Sequence, residues 1–524
     1  MVFTGLADVL RSHARERGDH CALIAGDRTW SYRELRDDAA RVAQGLATEG
    51  VGPQERVAVL DKNRPEFFAV LFGAAMASAV TLAVNWRLAP REMEYILAHS
   101  EARVLFVGEE FLGHVAQMAL PQIRRVVVFG APRAGQVRYE DWLRDHPATD
   151  PLSELDPDET CFQLYTSGTT GLPKGVELTH RNFLSAMDVG SKTWSFDGAS
   201  VNLVAMPLFH IAGSGWGLVG LCNGTTNIIT REVNPAEILK LIAEHGVTNA
   251  LFVPAVLQIL LAAPGVEQTD FSTLRSIVYG ASPISEEVLV RSMKTFGCGF
   301  VQAYGLTETT GGMVALVERD HDPGGARAEL LRSAGQPWGD AELRIVDPES
   351  GRDLPDGEVG EIWIRSSQNM KGYWRNPEAT AQCFPEGRSA DGRGWFRSGD
   401  AGYLRDGYLF IYDRVKDMIV SGGENIYPAE IENALMSHPA VADVAVVGVP
   451  SERWGETVKA IVVDAPGAAA TDEELIAWCR ERLAKYKCPT SVDRIAALPR
   501  NPSGKLLKNE LREPYWKGHR RRVN

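Results

Sequence analysis

Apolar residues recur at helical spacing behind the stretch "SYRE" (Ser31 to Glu34), with Leu35, Ala39, Val42 and Leu46 on one face. Ser31 and Glu34 have the spacing of a capping box, in which hydroxyl and carboxylate satisfy the end amides reciprocally, and Gly50 offers a stop. A helix is predicted there, followed by a strand, "RVAVLD" (56 to 61). Two further β-branched runs read as strands, "RVLFVG" (103 to 108) and "RVVVFG" (125 to 130). The alanine-rich run Phe67 to Val84 just reaches membrane-spanning length. Small residues at that density suit a tightly packed buried helix running into a strand.

Strand–helix alternation continues past residue 300, which implies α/β layers with largely parallel sheets. Three strands run into polar, glycine-containing turns: "CFQLY" into Thr166-Ser167-Gly168, "SIVYGA" into Ser282-Pro283, and "GFVQAYG" into Leu306-Thr307-Glu308. Ligands bind outside the carboxyl ends of strands in such sheets, so the three turns are expected at one crevice. Around residues 340 to 375 the pattern changes. "AELRIVD", "GEVGEIWIRS" and "KGYW" alternate as a small antiparallel β subdomain would, and "YLRDGYLFIYDRVKDMIV" (403 to 420) reads as a strand pair. Helix and strand signals then restart on a smaller scale (a helix from Ala429 to Ser437, strands "VADVAVVGV" and "VKAIVVD", the helix "DEELIAWCRERLA"). A boundary near Lys416 divides residues 1–413 from 414–524.

At 524 residues the chain is too long for one hydrophobic core. A net charge of −13 argues against a dedicated nucleic-acid binder. The one basic cluster, Lys517 to Arg522, reads as a solvated tail, with weak contact to an anionic membrane surface as the alternative. Seven scattered cysteines without metal-ligand spacing suit a reducing, cytoplasmic compartment. The N-terminus lacks the long apolar core of a cleavable signal.

The stretch "YTSGTTGLPKG" (Tyr165 to Gly175) carries the sharpest chemistry. Its Ser, Thr and Gly residues can wrap N–H and hydroxyl donors around a polyphosphate. It is not a Walker A loop, because Pro173-Lys174-Gly175 stands where that motif needs glycine, lysine and a hydroxyl residue. Proline has no N–H to offer, so Lys174 is not expected to sit as a Walker lysine. Glu308 beside two threonines suits a hard cation such as Mg²⁺. Asp400, after "RSG", offers acceptor-only oxygens to a pair of hydroxyls.

Read together with "MPLFHIAG" (206 to 213), "YGASP" (279 to 283), "QAYGLTET" (302 to 309), "FRSGDAG" (396 to 402), "DRVKDMIVSGGENIYPAEIE" (413 to 432) and "PRNPSGK" (499 to 505), this loop resembles that of the adenylate-forming superfamily. That superfamily comprises acyl-CoA synthetases, luciferases and peptide-synthetase adenylation domains. The resemblance spans nearly the whole chain. It implies a large N-terminal domain of two α/β subdomains plus a small β-barrel-like subdomain, followed by a small mobile α+β C-terminal domain. It also implies ATP, Mg²⁺ and coenzyme A as reaction partners, with an acid adenylated and then passed to CoA.

By the same resemblance Thr166, Ser167, Gly168, Thr169, Thr170 and Lys174 address the phosphates, and Glu308 with Thr166 the metal. Gly280, Ala281 and Ser282 line the adenine, Tyr304 stacks on it, and Ala303, Gly305 and Thr307 also bind ATP. Asp400 and Arg414 hold the ribose, and Lys505 bridges carboxylate and α-phosphate. Lys416 is the expected hinge, and Ser421, Gly422, Gly423, Trp454 and Tyr486 are expected to meet CoA. Val420 stands where luciferases carry a lysine, which counts against the oxidative branch. The acyl pocket is expected at His210, Ile211, Gly215, Val253, Gly280, Gly312 and Met313, with His210 as the gate. So many glycines imply a roomy apolar channel, favouring medium or long fatty acids, with aryl acids such as benzoate or cinnamate as runner-up. A stand-alone adenylation enzyme serving a carrier protein is the other alternative, and a homodimer is left open.

Overall fold

The computed structural model describes residues 3–166, 172–414, 417–421, 424–451, 453–468, 470–500 and 506–517. Two large sheets carry the N-terminal part. In one, Thr160–Thr166, Val80–Ala83, Arg56–Leu60, Val104–Gly108 and Arg125–Phe129 run parallel in that spatial order. In the other, Thr226–Ile229, Val201–Val204, Asn249–Phe252, Ser276–Gly280 and Gly299–Leu306 do the same. Strands buried on both faces read as continuous apolar runs, and "VAVL" and "VLFVG" are fully buried.

The predicted helix is Tyr32–Thr48, with Leu35, Ala39, Val42 and Leu46 buried. Ser31 Oγ accepts from the Glu34 N–H at 3.2 Å, and Glu34 accepts from the Ser31 N–H at 2.7 Å. The alanine-rich run becomes the helix Glu66–Met76 and the strand Val80–Ala83, buried throughout. Its small residues have a packing cause: a Cβ added at Gly73 would lie 2.6 Å from the Ala39 carbonyl oxygen of the neighbouring helix. No helix among the described residues is long and apolar enough to cross a membrane.

A third, four-stranded antiparallel sheet is built from Glu342–Val346, Gly360–Arg365, Phe396–Arg405 and Tyr408–Arg414. The "KGYW" stretch, expected in that subdomain, belongs elsewhere. Gly372–Tyr373 pairs antiparallel with Lys174–Thr179, at the edge of the first large sheet. Two residues pair too weakly to choose their own sheet, and the Trp374 N–H donating to the Gly175 carbonyl at 2.7 Å fixes the choice. The fourth sheet draws its strands from residues 419–494, with Val441–Ser451 and Gly455–Asp464 at its centre and the helix Pro428–Met436 packed on it.

Candidate active site

The carboxyl ends of Ser276–Gly280 and Gly299–Leu306 lie side by side, Gly280 opposite Ala303. They open into a cleft of about 2720 Å³ that Ala281, Ser282, Gly305 and Thr307 also line. The backbones approach so closely that a Cβ at Gly280 would lie 2.1 Å from the Ala303 carbonyl oxygen. Ala281 follows with φ +66°, a left-handed conformation that a side chain adopts only under constraint.

Across the cleft stands the root of the phosphate-loop hairpin. Thr166, at the end of Thr160–Thr166, sits opposite Lys174 in the antiparallel pair. Its hydroxyl donates to Glu308 Oε1 at 3.2 Å, which ties the two large sheets together. Tyr373, brought in by the misassigned "KGYW" segment, donates to the same oxygen at 3.0 Å. Among the described residues neither this pair nor any other donor addresses Glu308 Oε2. The Lys174 ammonium lies 5.0 Å from the centre of the Tyr373 ring. Burial, and then the Glu308 charge, hold the Tyr373 hydroxyl far above its ordinary range, so it remains a donor.

The hairpin root is braced from behind. The Tyr165 hydroxyl meets His99 Nδ1 at 2.7 Å, and the Trp374 indole donates to the His99 carbonyl at 3.0 Å. The Arg56 guanidinium lies 3.3 Å over the Trp374 ring and donates to Gln163 and Glu177 at 2.9 and 3.0 Å. Sequence reasoning missed Tyr373, His99, Arg56 and Trp374. Their signal is spatial, since they come from three distant segments that meet only in the fold.

Asp400 is buried at the cleft and accepts from the Tyr304 hydroxyl at 2.9 Å. Arg414 stands opposite Asp400 in the register of their two strands. His210 lines the cleft as the N-cap of the helix Ile211–Cys222, its Nδ1 accepting from the Ala212 N–H at 3.1 Å. Ile211, Gly215 and Gly312 line the cleft as well.

Two expected pocket residues do not. Met313 is fully buried, packed with Ile345, Ile362 and Leu409 of the third sheet. Successive residues on a strand face opposite ways, so with Gly312 on the cleft Met313 must face the core. Val253 packs against the core around Leu257 and Phe252, while Leu251 and Pro254 line the cleft. Trp454 and Tyr486 lie outside the cleft wall, 47% and 50% exposed. Each precedes one of the parallel strands whose register pairs Lys459 with Ser491, so both sit at one end of the fourth sheet. Ser421, opposite Gly455, lies at that same end. Ser167, Gly168, Thr169, Thr170, Lys416, Gly422, Gly423 and Lys505 lie outside the described residues.

Comparison with known proteins gives this geometry a family. Residues 10–374 match the model of the AMP-binding enzymes, and residues 430–505 match that of the AMP-binding enzyme C-terminal domain. A fatty acid–[acyl-carrier-protein] ligase of Streptomyces coeruleorubidus is 41% identical over 98% of this chain and 96% of its own. A feruloyl-CoA synthase of Amycolatopsis is 40% identical over 94% and 96%. The crystal structure of an anthranilate CoA ligase in complex with anthranoyl-AMP superimposes with a TM-score of 0.88 at 27% identity, covering 98% of both chains. The chain belongs to the AMP-binding enzymes of the adenylate-forming superfamily, and it is an AMP-forming acyl-CoA synthetase that uses ATP to join a carboxylic acid to coenzyme A.

Proposed function

We propose that the cleft between the two large sheets carries out both half-reactions with the residues named above in distinct roles. The hydrogen-bonded cluster of Thr166, Glu308 and Tyr373 is the observation that carries this reading. It fixes a carboxylate at the root of a loop rich in N–H and hydroxyl donors, where a polyphosphate would lie. Thr166, the loop residues Ser167 to Thr170 and Lys174 grip the β- and γ-phosphates. Gly280, Ala281, Ser282, Ala303, Gly305 and Thr307 line the adenine and Tyr304 stacks on it, while Asp400 and Arg414 hold the ribose hydroxyls.

The substrate carboxylate is already a nucleophile, so the site needs alignment and charge neutralisation rather than a general base. Lys505 supplies positive charge between the attacking carboxylate and the α-phosphate. The bond from the α-phosphorus to pyrophosphate breaks as the acyl-phosphate bond forms. Glu308 Oε2 and the Thr166 hydroxyl are hard oxygen donors that fit Mg²⁺, which would further offset phosphate charge when bound.

For the second half-reaction, residues 414–524 turn about Lys416. Ser421, Gly422, Gly423, Trp454 and Tyr486 then receive CoA. The co-location of Ser421, Trp454 and Tyr486 at one end of the fourth sheet supports this. A carrier-protein thiol is the second reading, favoured by the Streptomyces relative named for such a ligase. The test is incubation with ATP, Mg²⁺ and an acid panel, with CoA, with a phosphopantetheinylated carrier protein, or with neither. Thioester and AMP formation that requires CoA supports the proposal. Pyrophosphate release with thioester only on the carrier protein overturns it in favour of the second reading.

A further inference from the structure

We propose that Asn63 is a positioning residue for the acid side of the cleft, acting through residues 206–210. The inference rests on the reading above, with the acid lying beside His210, and it adds the residue that holds that wall in place.

Asn63 follows the strand Arg56–Leu60 of the first large sheet and crosses to the second. Its backbone N–H donates to the Arg231 carbonyl at 3.2 Å, just past the strand Thr226–Ile229. Its side chain takes the segment that leaves the neighbouring strand, Val201–Val204. Nδ2 donates to the Met206 carbonyl at 3.0 Å, and Oδ1 accepts from the Leu208 N–H at 2.8 Å. One carboxamide thus pairs with residues 206 and 208 as a strand partner would. Pro207, between them, has no N–H to contribute. Asn63 is only 4% exposed, so water does not compete for either bond.

Asn63 is itself held firmly. The Asp61 carboxylate has no exposure, and it accepts from Arg64 at 2.8 Å and from Arg231 of the second sheet at 2.6 Å. Arg231 pairs with Glu110 as well. Bonds between charged partners are stronger than neutral ones, so the carboxamide is carried on a fixed crossing between the sheets.

The clamped segment is the approach to His210. The Pro207 carbonyl accepts from the His210 N–H at 3.0 Å. The His210 carbonyl accepts from the N–H groups of Gly213 and Ser214 at 2.9 and 3.0 Å, which starts the helix Ile211–Cys222. That helix is seated on the same peptides: a Cβ at Gly213 would lie 2.2 Å from the Pro207 carbonyl oxygen and 2.4 Å from that of Met206. Phe209, His210, Ile211 and Ala212 line the cleft, whereas Asn63 is buried and is not part of its wall. Removing the carboxamide leaves a buried carbonyl and a buried N–H unpaired, and the segment shifts to recover partners. His210 and the start of the helix move with it. The phosphate end is tied by separate bonds among Thr166, Glu308 and Tyr373, so it stays.

The experiment is a double-mutant cycle of Asn63→Ala and His210→Ala. It reads kcat and KM for CoA thioester formation with the best acid of octanoate, palmitate, benzoate and cinnamate, together with KM for ATP. Asn63→Ala is expected to lower kcat/KM for the acid by about tenfold to a hundredfold, with KM for ATP changed by less than about twofold. In the His210→Ala background the same substitution should cost about threefold or less, because the group it positions is gone. Losses that multiply across the cycle overturn the proposal. So does an Asn63→Ala enzyme with wild-type kcat/KM, or one whose KM for ATP rises in step. A His210→Ala enzyme with unchanged kcat/KM for the acid shows instead that the acid lies elsewhere, and the proposal falls with that placement. Asn63→Asp keeps the shape of the side chain and loses the donor to Met206, and it carries the same cycle should Asn63→Ala not fold. Absence of thioester from every acid is a different result, and it refutes the ligase reading itself.

Discussion

Tyr373 holds Glu308 in place through one hydroxyl, and its high pKa keeps that hydroxyl protonated across the working pH range. A hydrogen bond to a charged acceptor contributes roughly 1.5–3 kcal/mol. Tyr373→Phe retains the ring that packs beside Lys174 and loses only the donor. Its kcat/KM for ATP in acid-dependent pyrophosphate exchange should fall by about tenfold to a hundredfold, with the melting temperature nearly unchanged. An unaltered exchange rate would show that Thr166 alone orients the carboxylate. His180 makes a different residue-scale case. It is 1% exposed, and burial pushes its pKa from 6.5 down to about 4 while its Nδ1 accepts from the Leu6 N–H at 3.3 Å. The unfolded chain therefore binds this proton more readily than the native one. The contribution of the neutral ring is fully present above pH 6.5 and is lost as pH falls toward 4, roughly 2 kcal/mol of it by pH 5. Thermal melts of His180→Gln at pH 7 and pH 5 should show a smaller acid-induced drop than wild type. Parallel drops would assign the acid sensitivity to other groups.

Elements place these residues, and the hairpin between Gly299–Leu306 and Gly311–Leu316 does so with almost no room to spare. A Cβ at Gly305 would lie 1.8 Å from the Gly311 carbonyl oxygen, a backbone atom that cannot swing aside. Gly305→Ala should cost about 2–4 kcal/mol and displace Tyr304 and Glu308 together. Denaturant titration and ATP exchange should both register it, and a normal melt would mean that the strand pair shifts freely. Most such elements were legible beforehand. The capping box at Ser31 and Glu34 and the buried run Phe67 to Val84 followed from local chemistry, because there one segment determines its own structure. The three strand ends meeting at one cleft followed from the rule for open α/β sheets. What escaped was decided between segments. "KGYW" carries no period long enough to name its sheet, and its pairing with Lys174–Thr179 is what delivers Tyr373. Met313 was assigned to the pocket by adjacency to Gly312, although strand alternation turns it inward. Glycine content suggested open space in the acyl channel, and the neighbours divide those glycines: Gly213 and Gly217 are spent on close contact, whereas Gly215 and Gly311 line the cleft and meet only the Ile211 side chain, at 3.2 Å or more.

At the scale of the molecule, the cleft is shared. Tyr304, Asp400 and Glu308 line it from the N-terminal sheets, while Glu430 and Asn433 line it from the helix Pro428–Met436 of the C-terminal part. Under the proposed turn about Lys416, such a site presents different groups to successive steps, because only the C-terminal wall has to move. Under the proposed rotation Lys505 travels with that wall, so its charge is needed at the α-phosphate in one arrangement and away from the site in the other. Lys505→Ala should reduce acid-dependent pyrophosphate exchange by a factor of about a hundred or more. Conversion of preformed acyl-adenylate and CoA to thioester should persist within a few-fold of wild type. A lysine that acted through folding alone would depress both half-reactions together. A split between them therefore separates a charge delivered by domain rotation from one fixed in a static site.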